Sequence, residues 1–280
     1  GADGVADVRD YLARGRAAAL RAQALDPSLP EPLGALAYAA AIEGDLATAE
    51  RTIARAIERN PNHGTAHQWR GIFLARMGRL DEALGEFELG VQLDPLSSIH
   101  QWVLGEGLAF AGRNAQALEV LERAAALRST LFLPHLAERA MAEWKAGRRA
   151  EAVANARLIR ASWPTKHRWW ADGYAVWILR EAGETAEAAG YANEIIAKLP
   201  AQSYQRGVVL AAGGRFDEAL PFLEHTPHIA RRILFWAGLF DRYRTDARFE
   251  RLMTNLGCLD DYQRARETQA RVLEKANAKK

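Results

Sequence analysis

The chain of 280 residues is poor in several of the features that would assign a function directly. It has one cysteine, Cys258, so no internal disulfide can form. Its net charge of +2 is too small to favour nucleic acid or an anionic membrane as a partner. Apolar stretches such as residues 36–42 fall far short of the roughly 20 residues that span a bilayer. We therefore expect this segment to have no membrane span and to bind no nucleic acid.

Signatures of catalysis and of cofactor binding are also missing. No glycine-rich phosphate loop of the G-x-x-x-x-G-K type and no G-x-S-x-G motif occurs. His63 and His67 have a spacing that can bind a metal, but no third ligand is evident near them. The sequence therefore predicts a protein without catalytic residues, metal or cofactor, which is not an enzyme.

What the chain does have is a repeat. A glycine followed five residues later by an alanine recurs six times, at steps of 34, 34, 35, 36 and 31 residues. These pairs are Gly44/Ala49, Gly78/Ala83, Gly112/Ala117, Gly147/Ala152, Gly183/Ala188 and Gly214/Ala219. A fixed period of this length predicts a stacked array of repeats, and such arrays mostly bind other molecules.

One interval shows what each repeat is. Between Pro30 and Pro61 the apolar residues first follow the spacing of one helix face, which predicts a helix that ends at Gly44. Asp45 is placed to cap a second helix, which Pro61 ends. Glycines in the middle of the first helix, such as Gly71, weaken a helix unless a neighbour passes too close for a Cβ. Each unit is therefore predicted to be a tightly packed helical hairpin.

These units resemble the tetratricopeptide repeat. The second unit carries the resemblance in Gly71, Gly78, Ala83, Phe87 and Pro95. The resemblance implies an all-α fold, a right-handed superhelical solenoid of helical hairpins with capping helices at both ends. Its domain limits would be a solenoid over residues 1–258 and a charged tail, helical or disordered, over 259–280. Within the solenoid we expect a leading helix at 5–24, six repeats over about 30–227 and capping helices at 228–258.

A narrower resemblance concerns bacterial regulators. Residues 62–69, 78–84 and 93–97 resemble the repeat regions at the C-terminus of regulators that carry a winged-helix, adenylate-cyclase or Ser/Thr-kinase domain. Residues 239–253 resemble the segment that closes such arrays. The resemblance implies an interaction or sensory module cut from, or related to, a regulator. It favours the cytoplasm and leaves the periplasmic side of an inner-membrane regulator as the alternative.

In this family the first helices of the repeats line a concave groove that holds a peptide. Carried onto this chain, the resemblance selects as groove residues Tyr38, Gln68, Arg76, Trp102, Glu106, Phe110, Trp144, Trp170, Trp177, Arg180 and Tyr204, beside Ile72, Met141 and Lys145. Trp, Tyr and Arg are frequent anchors of interfaces. The alternative is that the tryptophans are packing residues between repeats.

We therefore expect a protein- or peptide-binding module. Two alternatives stay open: a scaffold for self-assembly, for example as a homodimer, and a domain that senses a small molecule held inside the superhelix among the tryptophans. The arginines at 242, 244, 248 and 251 alternate with acidic residues, and the pattern predicts a solvated helix face.

Overall fold

A computed structural model describes residues 2–128, 133–162 and 169–277 of the chain. The regular structure in these ranges is helical throughout. The α-helices are α1 (Ala2–Leu25), α2 (Glu31–Glu43), α3 (Leu46–Arg59), α4 (Gly64–Arg76), α5 (Leu80–Leu93), α6 (Ser98–Phe110), α7 (Asn114–Ala126), α8 (Leu133–Lys145), α9 (Arg149–Ala161), α10 (Trp169–Glu181), α11 (Thr185–Lys198), α12 (Tyr204–Ala212), α13 (Phe216–Leu223), α14 (Arg231–Trp236), α15 (Ala247–Asn255) and α16 (Leu259–Asn277). Two short 3-10 helices, His228–Ala230 and Gly238–Tyr243, flank α14.

The predicted turn between the two helices of a unit is confirmed. Gly44 ends α2 with a φ of +92°, in the left-handed region that glycine adopts without a steric penalty. The Asp45 carboxylate then accepts a hydrogen bond of 2.9 Å from the backbone N–H of Thr48 and caps α3. The turn glycine of each of the other five units also has a positive φ, between +73° and +87°. The same glycine conformation therefore follows the first helix in all six hairpins, whereas a side-chain cap of the second helix occurs only at Asp45 in the first.

Close approach of the two helices explains the glycine in the middle of a first helix. A Cβ on Gly71 would lie 2.6 Å from Cδ1 of Phe87, which is itself buried in the second helix of that hairpin. The recurrent alanine near the start of each second helix is buried as well; Ala49, Ala83 and Ala117 are fully inaccessible to solvent. Small side chains thus set the distance between the paired helices.

The hairpins stack in chain order, each second helix packing against the first helix of the following unit, and α1 packs against α2. The predicted all-α solenoid is confirmed. Its buried side chains form two clusters. A small cluster joins α2 and α3 to Phe73 of α4, and a large one runs through the later hairpins. The large cluster also contains Phe235, Trp236 and Phe240, which follow the last hairpin.

Residues 228–243 turn back after the last hairpin and cross the first helices of the array. The ring of His228 lies against the turn at Gly44 in the first hairpin. Trp236 then reaches α4 and α6, and Asp241 reaches Lys145 at the end of α8. Tyr243 ends the path at α12, where its hydroxyl donates to the Ala211 carbonyl oxygen at 2.8 Å. Through these four residues, the stretch 228–243 contacts hairpins from both ends of the array.

The last two helices close this arrangement. Phe249 of α15 packs against Phe216 and Phe240, with ring centroids 6.4 and 5.8 Å away. The long helix α16 then runs over the turns of the second and third hairpins. Gln269 donates a hydrogen bond of 2.6 Å to the Phe110 carbonyl oxygen, and Ala265 lies against Gly78. We refer to residues 228–277 as the C-terminal segment.

Candidate functional site

The candidate site is the row of first helices, α2, α4, α6, α8, α10 and α12, on the side that the C-terminal segment contacts. We call it the inner surface. The predicted groove residues fall into two classes there. Six are buried, namely Gln68, Arg76, Glu106, Phe110, Trp144 and Trp177. Five are half-buried, namely Tyr38, Trp102, Trp170, Arg180 and Tyr204. Only the second class presents partly accessible side chains.

Two of the predicted tryptophans come together. The rings of Trp144 and Trp177 meet edge to face, with centroids 5.9 Å apart and planes at 79°. The Lys145 ammonium lies 5.5 Å from the centroid of Trp177. Because both rings are more than nine-tenths buried, this pair joins the fourth and fifth hairpins as packing.

Trp102 has a different environment. It belongs to α6, and its ring lies 5.7 Å from the ring of His135 in α8. His135 is itself buried. Burial, with a smaller contribution from the positive charge of Arg128, lowers the pKa of His135 to about 4. Trp102 therefore sits beside an imidazole that is neutral at physiological pH.

Tyrosines mark both ends of the inner surface. Tyr38 in α2 packs edge-on against Trp69 in α4, with centroids 4.8 Å apart. Tyr204 is the first residue of α12, and burial raises its pKa to about 12. Its hydroxyl consequently stays protonated over the physiological range and can donate as well as accept a hydrogen bond.

The C-terminal segment divides the inner surface along its length. Its hydrogen bonds and ion pairs to the first helices fall on their last turns, at Ala75, Phe110, Lys145 and Ala211. The half-buried Trp102, in contrast, lies in the second turn of α6, and Trp170 and Tyr204 lie in the first turns of α10 and α12. The half near the helix starts is thus the half that these polar contacts do not occupy.

The C-terminal segment is a fixed part of this surface. Leu234, Phe235, Trp236, Leu239 and Phe240 are each at most 2% exposed. Part of this burial lies within the segment, since Phe235 packs on Tyr262 and Phe240 on Phe249. At about 1.5–3 kcal/mol for each fully buried large apolar side chain, exposing all five would cost at most on the order of 10 kcal/mol. A micromolar ligand supplies only about 8 kcal/mol in total. We therefore expect a peptide of ordinary affinity to leave the segment in place.

Sequence patterns did not indicate which residues of the C-terminal segment face inward. The expectation that its arginines form a solvated helix face is wrong for Arg244, whose side chain is 5% exposed. Its guanidinium donates to the carbonyl oxygens of Leu234 and Ala237 and to the Asp241 carboxylate. The segment folds back on itself at this point, and the local pattern of polar and apolar residues does not predict such a reversal.

The histidine pair that had the spacing of metal ligands has structural roles. His63 Nδ1 accepts a hydrogen bond from the backbone N–H of Ala66 at the start of α4. His67 contacts the Glu86 carboxylate through Nδ1 and the Pro61 carbonyl oxygen through Nε2, at 2.6 and 2.9 Å. Within the described ranges no group of three His, Cys, Asp or Glu side chains is arranged to hold a metal ion. None of the helices described there is long and apolar enough to cross a membrane.

Comparison with solved structures identifies the same architecture elsewhere. A tetratricopeptide repeat protein from Parabacteroides merdae is 12% identical, with a TM-score of 0.62, over 90% of this chain and 96% of that one. PilF of Pseudomonas aeruginosa is 20% identical, with a TM-score of 0.56, over 71% of this chain and 88% of that one. A thermophilic repeat protein of Thermus thermophilus is 20% identical, with a TM-score of 0.56, over 68% of this chain and 98% of that one. At these identities the likeness concerns the fold.

Sequence comparison identifies the repeats. No curated protein matches the chain. The family model of the tetratricopeptide repeat matches residues 30–55, 99–123 and 200–225, which lie in the first, third and sixth hairpins. Repeats of this kind form scaffolds for protein interaction. The repeated turns, the small residues between paired helices and these matches agree that the chain contains tetratricopeptide repeats.

Proposed function

We propose that this protein is a non-enzymatic module that binds a protein or peptide along the half of the inner surface nearest the starts of the first helices. One observation carries the proposal. The C-terminal segment makes its polar contacts on the last turns of these helices, whereas Trp102, Trp170 and Tyr204 remain half-buried in their first two turns. Half-buried aromatic side chains on a rigid scaffold are typical anchors of an interface.

The geometry also limits the partner. The six buried residues of the predicted groove present too little surface for a protein or peptide to contact, so we expect the partner's contacts on the five half-buried ones. A short extended segment or one helix face with apolar side chains suits a row of separate aromatic anchors. A role as the sensory or interaction part of a bacterial regulator, which the sequence resemblance implies, is consistent with such a module.

The test begins with peptides selected from a random phage-displayed library against the whole protein. Their dissociation constants are then measured by fluorescence anisotropy for the wild type and for Trp102→Ala, Trp170→Ala and Tyr204→Ala. Each of these three substitutions is expected to weaken peptide binding at least tenfold, which corresponds to about 1.4 kcal/mol. The matched control is Tyr11→Ala, because Tyr11 is a 68% exposed aromatic residue on α1.

Circular dichroism shows whether each variant is folded. Peptides that bind the folded Trp102→Ala and Trp170→Ala variants as tightly as the wild type would contradict the proposal. A loss of affinity in Tyr11→Ala would place the interface on α1 and contradict it as well.

A further inference from the structure

A cavity of about 270 Å³ lies between the last turns of α6 and α8 and the C-terminal segment. One side of its lining is apolar and includes Phe110, Met141 and Trp236. The indole of Trp236 stacks on Phe110 with centroids 6.3 Å apart and planes at 18°. The cavity therefore has a flat aromatic wall against which an apolar group can pack.

The other side of the lining is cationic. Lys145, Arg244 and Arg266 all line the cavity. The Asp241 carboxylate forms ion pairs with two of these cations, at 2.6 Å from Lys145 Nζ and 3.0 Å from Arg244 Nε. Glu138 is the second carboxylate of the lining. Three cations against two carboxylates leave one positive charge in excess.

That excess is located at Arg266. Its guanidinium donates to the neutral side-chain oxygen of Gln269, and no carboxylate of the described chain lies within 4 Å of it. Burial, and then repulsion from Arg244, lowers the pKa of Arg266. A positive charge held partly out of water beside a second one is stabilised when an anion arrives. Gln269 is in turn fixed by its bond to the Phe110 carbonyl oxygen, so the guanidinium is positioned on α16 before any ligand binds.

We propose that this cavity binds a small organic acid whose single carboxylate pairs with Arg266 and whose aromatic or branched apolar body packs against Phe110 and Trp236. Arginine suits this role because its planar donor pair matches a carboxylate. The size is consistent, since a cavity of about 150 Å³ holds benzene, and the larger one here accommodates about ten to fifteen non-hydrogen atoms. A free acid of that size fits entirely, whereas a peptide would place only its terminal residue inside.

The inference does not depend on the proposed interface for a protein partner. The cavity lies at the last turns of the first helices, and its ligand groups belong mainly to the C-terminal segment, whereas the interface lies at the helix starts. The two proposals therefore fail separately. Occupancy of the cavity would join α6 and α8 to α16 through one ligand.

Isothermal titration of the full chain with matched probes tests the proposal. The probes are 3-phenylpropionate, its neutral amide, and a glycyl-glycyl-phenylalanine peptide with a free carboxylate. The acid is expected to bind at least tenfold more tightly than the amide, because only the acid pairs with Arg266. Comparable affinities for acid and amide, or no heat with the acid at about 10 mM, a level that only very weak ligands require, would overturn the proposal. Tighter binding of the peptide than of the acid would overturn the assignment to a free acid.

Variants on one helix provide the second readout. Arg266→Gln is expected to weaken binding of 3-phenylpropionate at least tenfold while the unfolding midpoint without ligand stays as in the wild type. The control is Arg271→Gln, since Arg271 is on the same helix, is 54% exposed and does not line the cavity. Arg271→Gln should bind 3-phenylpropionate with an affinity within twofold of that of the wild type. Unchanged binding in Arg266→Gln, or an equal loss in Arg271→Gln, would refute the site.

Discussion

The indole N–H of Trp236 donates a hydrogen bond to the carbonyl oxygen of Ala75 at a distance of 2.9 Å, although 161 positions separate the two residues in the sequence. Ala75 lies in the last turn of α4, where backbone carbonyl groups lack full helical partners. The same indole stacks on Phe110 of α6. One side chain of the C-terminal segment thus joins the second and third hairpins.

Truncation of this side chain should therefore destabilise the protein strongly. Trp236→Ala leaves a cavity and is expected to lower the free energy of unfolding by about 3–5 kcal/mol, in the range for large aromatic residues in cores. Trp236→Phe retains most of the packing and loses only the indole hydrogen bond, because the Ala75 carbonyl oxygen still accepts from the backbone N–H of Gly78. It should cost about 0.5–1.5 kcal/mol. Urea unfolding followed by circular dichroism measures both. Tyr11→Ala, at an exposed position, is expected to change the value by less than about 0.5 kcal/mol. Equal effects of Trp236→Ala and Tyr11→Ala would show that the docked segment contributes nothing.

Two turn glycines provide a matched test of the contact between α16 and the array. Gly78 and Gly147 have φ values of +76° and +86°, so alanine at either costs about 1–2 kcal/mol in backbone strain. A Cβ at Gly78 would lie 2.8 Å from the backbone nitrogen of Ala265, whereas a Cβ at Gly147 meets nothing within 4 Å. Gly78→Ala should therefore lower the free energy of unfolding by about 1–3 kcal/mol more than Gly147→Ala does, which is the usual cost of overpacking.

Hydrogen exchange separates the two contributions to that difference. In Gly78→Ala the amides of α16 are expected to exchange faster than in the wild type, and in Gly147→Ala they should not. Equal stabilities of the two variants, with α16 equally protected in both, would mean that the helix does not rest on the second hairpin.

Cys258 reports whether the C-terminal segment stays closed. The thiol is 5% exposed, and burial raises its pKa to about 11. Because the thiolate is the reactive form, Ellman's reagent should not label the native protein at pH 8, and it should label one thiol per chain after unfolding in urea. The rate at which the native protein is labelled should not change when a partner peptide binds. Rapid labelling of the native protein would show that the segment opens.

His135 should make stability depend on pH. Its pKa is about 4 in the folded state and near 6.5 when unfolded, so the unfolded chain binds more protons between these values. Above pH 6.5 the imidazole is neutral in both states and its burial costs no proton. As the pH falls from 6.5 towards 4, the free energy of unfolding decreases because the unfolded chain takes up a proton that the folded chain does not. Urea unfolding at pH 7.0 and 5.0 should show a smaller loss of stability in His135→Gln than in the wild type. The NMR titration midpoint of His135 should be near 4; a midpoint near 6.5 would contradict the buried environment.

The repeated part of the fold was predictable because its determinants are local. The turn at Gly44 depends on a glycine that accepts a left-handed conformation, and the following helix depends on Asp45 as its cap; both are readable within six residues. The close approach at Gly71 has a partner, Phe87, only 16 positions away in the same hairpin. Periodic repetition of such signals indicates the fold class.

The arrangement of the inner surface could not be predicted in this way. The sequence shows that residues 228–240 are apolar, but their partners, such as Ala75 and Phe110, are more than one hundred positions away. Which partners they meet depends on the curvature that accumulates over six hairpins, and no single repeat encodes it. The separation of buried from half-buried groove residues, and the position of Arg266, follow from that long-range contact.

The central claim is that the C-terminal segment permanently occupies the last turns of the first helices and leaves their starts for a partner. The most direct measurement is the hydrogen exchange of the Trp236 indole N–H, followed by ¹⁵N NMR with and without a bound peptide. The account predicts that this proton is as protected as the core amides of α4 in both states. Exchange at the rate of an unprotected indole in either state would contradict it.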